Sequence, residues 1–440
     1  MPTTITNEDL AKHASRSDCW VAILGQVYDV TAFLDEHPGG ADILLKFAGK
    51  DATKAFSSMH PPTFLNQLPP SMLKGPLEGW QPPEPVAKRQ VEVPPLDQLL
   101  NTRDFEAVAE KAMEPQGWTY YSTGSEDERT FRENETAYSR WWFRPRVLID
   151  VSRVDTTTTI LGQGASFPFF LSASAMAGMA HPDAEVALAR ACRTAGVPQM
   201  VPTLSSRTLE DIAAARSGGQ AQFLQLYVNP DRRKAFDMLR RAEDLGFSGV
   251  FLTVDTPFTG RRERDLRNKF LSGQSVIKSL GTFSDPSLTW DFVDELAART
   301  RMPVVLKGIQ RGEDAATTQQ HPVKGVLISN HGGRQLDGAR PTLEVLAEVR
   351  AALGPHSELE VYVDGGVRRG SDIVKALALG AKAVGAARPV IYGLAGYGEA
   401  GAARVLEILQ DEFRLSMALN GATAVADITR DLVVRKPAGY

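Results

Sequence analysis

The chain has 440 residues, 43% of them apolar and 23% charged, with a formal net charge of −4. That length suits a small module joined to one large domain, and the charge balance gives no basic surface of the kind a nucleic-acid binder needs. Two cysteines, Cys19 and Cys192, make no disulfide framework or metal-ligand spacing. With no run of 18 apolar residues, no helix is expected to span a membrane.

The start, "MPTTITNEDL", is polar and acidic, neither a secretory signal nor an arginine-rich transit peptide. It fits a cytoplasmic protein if the chain is complete, or one of the mitochondrial intermembrane space if a leader has been removed. In "DEHPGGADIL", His37 precedes Pro-Gly-Gly and a short helical pattern, and His60 follows in "SSMHPP". Two amphipathic helices, expected at Ala41–Phe47 and Ala52–Ser57, can line a pocket while the two imidazoles approach a metal from opposite sides. Such a pair suits a haem with both axial positions filled. A zinc site would want four ligands and would draw on cysteine.

Prolines then crowd the chain in "HPPTF", "LPPSM", "WQPPEP" and "VPP", which excludes a continuous helix or interior strand. Residues 1–80 therefore read as a small module, 81–100 as a semi-extended connector and 101–440 as the main domain. In that domain, apolar β-prone runs recur at "PFFLSAS", "PQMVPT", "FLQLYV", "GVFLTVD", "PVVLKG", "GVLISN", "LEVYVDG" and "AKAVGAA". Most alternate with segments of helical period, closed by Gly196, Gly246 and Gly380. Nearly unbroken apolar strands fit a parallel sheet covered by helices, and eight such units close a (β/α)₈ barrel. A doubly wound open sheet is the competing arrangement, but "FLSASAMAGMAHP" lacks the G-x-G-x-x-G turn it would want.

Chemistry in a barrel collects at the carboxyl ends of the strands. Here those ends carry Tyr227, Asp255, Lys307, His331 with Arg334 in "SNHGGRQ", and Asp364 with Arg368 in "DGGVRRG". A histidine steadied by an aspartate is a base for neutral pH, and Arg334 offers the planar fork suited to a carboxylate. Lys307 can neutralise an anion forming on a cofactor ring. Arg368 and Arg388 lie in the late loops, where barrels hold phosphate. Together they suggest a hydroxy-acid substrate facing a phosphorylated cofactor. Thr256 to Pro286 forms a long loop after the fourth strand, and its Arg261, Arg262 and Arg264 face substrate, redox partner or water.

The motifs "SNHGGRQLD", "VDGGVRRGSDIVKALALGAKAV", "LTVDTPFTGRRERD" and "FLQLYVN" resemble the FMN-dependent α-hydroxy-acid dehydrogenases and oxidases, from about Asp97 onward. "HASRSDCWVAILGQVYDVTAFLDEHPGG" resembles the cytochrome b5 family, which implies His37 and His60 as ligands of a haem b iron. The first resemblance implies FMN in a (β/α)₈ barrel. It implies Tyr120, in "TYYSTG", Arg334 and a mobile Arg262 on the substrate carboxylate, Tyr227 and His331 on its hydroxyl, and Asp255 paired with His331. Ala175 and Leu204 surround the substrate side chain and leave room for lactate. Ser174, Ala175, Gln225, Thr253, Lys307, Asp364, Gly366, Arg368 and Arg388 are the implied flavin contacts.

Two departures stand out. "GAARP" has Ala387 where the family has glycine, tolerable if its φ is negative, and Pro202 stands where lactate-oxidising fungal members tend to have serine. The two resemblances together imply oxidation of L-lactate, with electrons passing singly through the haem to a soluble acceptor such as cytochrome c. Another L-2-hydroxy acid such as mandelate, or O₂ as acceptor, is the alternative, and homotetramers are usual in the family.

Overall fold

A computed structural model describes residues 4–35, 37, 41–59, 64–65, 68–82, 91–271 and 284–437. In the N-terminal module, strands Ala14–Ser15, Asp18–Ile23, Gln26–Asp29 and Leu73–Pro76 run antiparallel in that order, and Lys50–Asp51 adds to the second strand in parallel. Strand Asp18–Ile23 puts Cys19, Val21 and Ile23 on one face, at the period of two that a half-buried strand shows. They pack with Val30, Leu34, Ala48 and Ala52 against helices Ala41–Leu45 and Thr53–Met59. The first of these ends two residues short of the expected boundary, and the second extends two residues beyond it.

Residues 91–100 carry one 3₁₀ turn, Leu96–Gln98, and three helices, Thr102–Ala112, Pro115–Ser122 and Arg129–Ser139, lead into the main domain. Eight parallel strands then close into a barrel: β1 (Phe169–Leu171), β2 (Gln199–Pro202), β3 (Gln222–Leu226), β4 (Gly249–Thr253), β5 (Val304–Ile309), β6 (Gly325–Ile328), β7 (Glu360–Asp364) and β8 (Ala383–Ala386). Between and after them come α1 (Ala184–Ala195), α2 (Leu209–Ala214), α3 (Arg232–Asp244), α4 (Trp290–Ala297), α5 (Gly312–Thr318), α6 (Thr342–Leu353), α7 (Gly370–Ala378) and α8 (Arg388–Leu419). The expected barrel is therefore the observed one. No helix among the described residues is long and apolar enough to cross a membrane.

Strand alternation positions the site. Phe170, Met200, Phe223, Phe251, Val305, Leu327, Tyr362 and Ala383 form one apolar cluster inside the barrel, closed below by Ile160 and Ala165 of a hairpin. Side chains two residues further along a strand return to the same face. One step above this plug the chain places Ser172, Gln225, Thr253, Lys307, Ser329 and Asp364, all buried and all polar. A second step reaches Ser174, Tyr227, Asp255, His331 and Gly366 at the mouth. The sequence thus builds an apolar base, a polar floor and a reactive rim.

Candidate active site

The loop after β6 turns back on itself at His331, Gly332 and Gly333, with φ of +59°, +65° and +75°. Two glycines carry most of that turn without side-chain strain. It is anchored behind by reciprocal amide bonds: Asn134 Nδ2 donates to Asn330 Oδ1 at 2.8 Å, and Asn330 Nδ2 to Asn134 Oδ1 at 2.7 Å.

The His331 imidazole is held on both sides. Nδ1 lies 3.0 Å from Asp255 Oδ1, and Nε2 lies 3.0 Å from the Tyr227 hydroxyl. With the proton on Nδ1 donated to the carboxylate, Nε2 is the basic nitrogen and accepts from Tyr227. Thr256 Oγ1 donates to Asp255 Oδ1 at 3.0 Å and keeps that oxygen aimed. Burial pushes the His331 pKa below its usual value, and Asp255 opposes the push without cancelling it. Burial alone would raise the Asp255 carboxyl, but Lys307 and His331 bring it below the usual range. A neutral imidazole beside a fixed carboxylate is the resting state.

Lys307, 5% exposed, donates to Ser329 Oγ at 3.1 Å, and the His331 backbone N–H donates to the same oxygen at 3.1 Å. Above it the rim is cationic. Arg334 donates to the carbonyls of Tyr120 and Thr123 and lies over the Tyr120 ring at 4.7 Å, while its buried Nη2 has no hydrogen-bond partner. Arg262 Nε reaches the Arg334 carbonyl at 3.4 Å, and burial together with the Arg334 charge brings its pKa down to about 10. Two adjacent buried guanidiniums, one with an open N–H group, form a receptor for a carboxylate.

A cavity of about 1380 Å³ runs from this rim into the crevice of the N-terminal module. Tyr120, Ser174, Ala175, Leu204, Gln225, Tyr227, Arg262, Lys307, His331, Arg334, Asp364, Gly366, Arg368 and Arg388 all line it. Thr253 stands behind this wall, bonded to Gln225 Nε2 at 2.9 Å. Asp255 likewise acts from behind His331. Arg261 is exposed, and Arg264, also exposed, pairs with Glu128 at 2.8 Å.

The polar floor fits a flavin phosphate and ring. Asp364 Oδ1 and Arg368 Nε are buried without hydrogen-bond partners, and Gly366 has φ +81° with Asn134 O only 2.0 Å from where a Cβ would sit. Arg388 is already engaged, donating to the carbonyls of Tyr121, Thr123 and Gly332, and burial brings its pKa down to about 9. Ala387 has φ −118°, so its methyl meets the condition set by the sequence. Pro202 ends β2 opposite Gln225.

In the module, Val21, Ile23, Leu44, Phe47, Ala52, Phe56 and His37 line the other end of the cavity. An apolar crevice with an imidazole at its edge suits haem. His60, Gly39 and Gly40 lie outside the described residues.

Sequence reasoning missed Ser329, Asn330, Thr256, Tyr121, Asn134 and Glu185. The first three lie within two residues of His331 or Asp255 in the chain, so their place at strand ends was available as a signal. Asn134 lies nearly two hundred residues from its partner, with nothing local to mark it.

Residues 109–435 match the FMN-dependent dehydrogenase family, and residues 6–78 match the cytochrome b5-like haem/steroid-binding domain. The chain is 42% identical to an L-lactate dehydrogenase (cytochrome) of Wickerhamomyces anomalus, over 98% of this chain and 79% of that one. It is 41% identical to 2-hydroxyacid oxidase 1 of Homo sapiens, over 78% of this chain and 98% of the relative. Among solved structures, the flavin-binding domain of baker's yeast flavocytochrome b2 superposes with a TM-score of 0.75 at 45% identity, covering 78% of this chain and 88% of that one. A mandelate oxidase superposes with a TM-score of 0.71 at 40% identity, covering 77% and 100%.

Proposed function

Because the chain belongs to the FMN-dependent dehydrogenase family and carries a cytochrome b5-like module ahead of its barrel, we propose that it oxidises L-lactate to pyruvate and delivers the electrons to a small soluble carrier such as cytochrome c. Its cofactors are FMN in the barrel and haem in the module. When bound, FMN takes two electrons from the substrate and the haem iron passes them on singly.

The residues divide the work. Arg334, Arg262 and Tyr120 bind the substrate carboxylate and fix the α-carbon over the floor. Tyr227 donates to the substrate hydroxyl, and His331 Nε2 removes a proton. Asp255 then faces an imidazolium and stabilises it. Lys307 puts a fixed positive charge beneath the place where electron density arrives. Two protons and two electrons leave the hydroxy acid, giving the 2-oxo acid.

The observation that carries this reading is the aligned Asp255–His331–Tyr227 chain beside a guanidinium with an unused donor. Ala175 and Leu204 flank the cavity with small and medium apolar groups, which suits a methyl substituent. The likeness to a mandelate oxidase supplies the second reading, an aryl substituent in the same place. Anaerobic addition of L-lactate to the holoenzyme should bleach the flavin and then reduce the haem, with kcat/KM for lactate above that for mandelate. A clear preference for mandelate overturns the lactate assignment, and failure to bleach with any 2-hydroxy acid overturns the whole.

A homotetramer belongs to the same proposal. The exposed apolar run Val147, Leu148 and Ile149 supports it, and light scattering on the holoenzyme tests it.

A further inference from the structure

One buried carboxylate takes no part in the chemistry above. Glu185, in the first turn of α1, is fully buried, and no cation pairs with it among the described residues. Burial raises its pKa, backbone N–H groups oppose the rise, and a polar group so placed needs hydrogen bonds to offset the loss of water. Its partners are backbone N–H groups of two loops. Ala177 N donates to Oε1 at 2.9 Å, and Ser206 N donates to Oε1 and Oε2 at 3.0 Å each.

Those loops carry the residues around the substrate side chain. Ala177 lies two positions after Ala175 in the loop following β1, and Ser206 two positions after Leu204 in the loop following β2. Further bonds join the same segments: Met176 N donates to Leu204 O at 2.9 Å, and Gly178 N to Ser206 Oγ at 2.9 Å. From the cavity side, Tyr121 Oη donates to the carbonyls of Ala175 at 2.9 Å and Met176 at 2.7 Å. Met176 itself has φ +58°, a conformation that needs external support. Below, Gln222 Nε2 donates to Gln199 Oε1, and Gln199 Nε2 to the Glu185 carbonyl, which ties α1 to β2 and β3.

We propose that Glu185 is a positioning residue for substrate selection, its carboxylate setting the separation of Ala175 and Leu204 and hence the space open to the group on the substrate α-carbon. The inference rests on the reading of the cavity as a 2-hydroxy-acid site. Glutamine keeps the shape of glutamate but presents one acceptor oxygen and turns an N–H₂ group toward the loop donors. In Glu185→Gln an amide oxygen at the Oε1 position still accepts from Ala177 N, but the N–H₂ group at the Oε2 position meets the Ser206 N–H. The loop after β2 therefore shifts against the loop after β1, while His331, Asp255, Tyr227 and Arg334, on other strands, keep their geometry.

Bleaching of the unaltered holoenzyme by lactate checks the parent reading separately. The test then compares lactate with glycolate, which has only hydrogen where lactate has its methyl, in unaltered and Glu185→Gln holoenzyme at equal flavin content. The expected result is a fall of about tenfold in kcat/KM for lactate, carried mostly by KM, the scale of discrimination a single methyl supplies. Glycolate should change less than about twofold. Equal losses for both acids, or no change in either, overturn the inference. Glu185→Asp, which keeps two acceptor oxygens on a shorter stem, takes the place of the glutamine variant if that fails to fold, and is judged by the same ratio.

Discussion

The left-handed backbone at His331 costs about 1–3 kcal/mol for a residue other than glycine, and the site uses that strain to stand the imidazole between Asp255 and Tyr227. Replacing His331 by Gln removes the base and leaves the carboxylate receptor. Flavin reduction by lactate, followed by stopped flow, should slow by about 10²–10⁴-fold while bound FMN is retained. The pH dependence follows from the same geometry. His331 must be neutral to accept a proton, and its pKa lies below the ordinary value of about 6.5. The acid limb of kcat/KM should therefore fall below that pH. In Asp255→Asn the carboxylate that raises the histidine pKa is gone, so the limb should move further toward acid while the plateau drops. A limb that moves toward neutral pH would contradict the arrangement.

At the scale of elements, β5 shows how a backbone irregularity serves the rim. The register with β6 shifts between Lys307 and Ile309, and Gly308 between them has φ +117°. A Cβ there would lie 2.5 Å from the Asp255 Cβ, so Gly308→Ala must push the aspartate away from His331. Its expected outcome is a lower melting temperature together with slower flavin reduction, both read on the purified holoenzyme.

The strands themselves were legible because a sheet buried on both faces writes continuous apolar runs, and their polar ends followed. Tyr227, Asp255, Lys307 and His331 could be found because each directly follows such a run. The helices before β1, and Glu263–Leu271 within the loop after β4, gave no comparable signal. Neither did Asn134, 196 residues from Asn330, nor Glu185, whose partners come from the loops after β1 and β2.

For the molecule as a whole, residues 1–100 and the barrel divide one pathway. The human 2-hydroxyacid oxidase aligns over 78% of this chain and nearly all of its own length, so a barrel without the module has a natural counterpart. A chain beginning at Leu100 should still be bleached by lactate at an undiminished rate. It should lose most of its cytochrome c reduction, measured by absorbance at equal flavin content. Undiminished cytochrome c reduction by the shortened chain would remove the module from the route.

Helix Thr53–Met59 of the module packs against the turn Ala177–Met179, which continues the loop bearing Ala175. That contact makes the haem-bearing lobe a neighbour of the pocket's lining as well as a destination for its electrons. The lobe thereby roofs the segment that surrounds the fuel molecule, so a foreign electron carrier put in its place would have to cover the same turn.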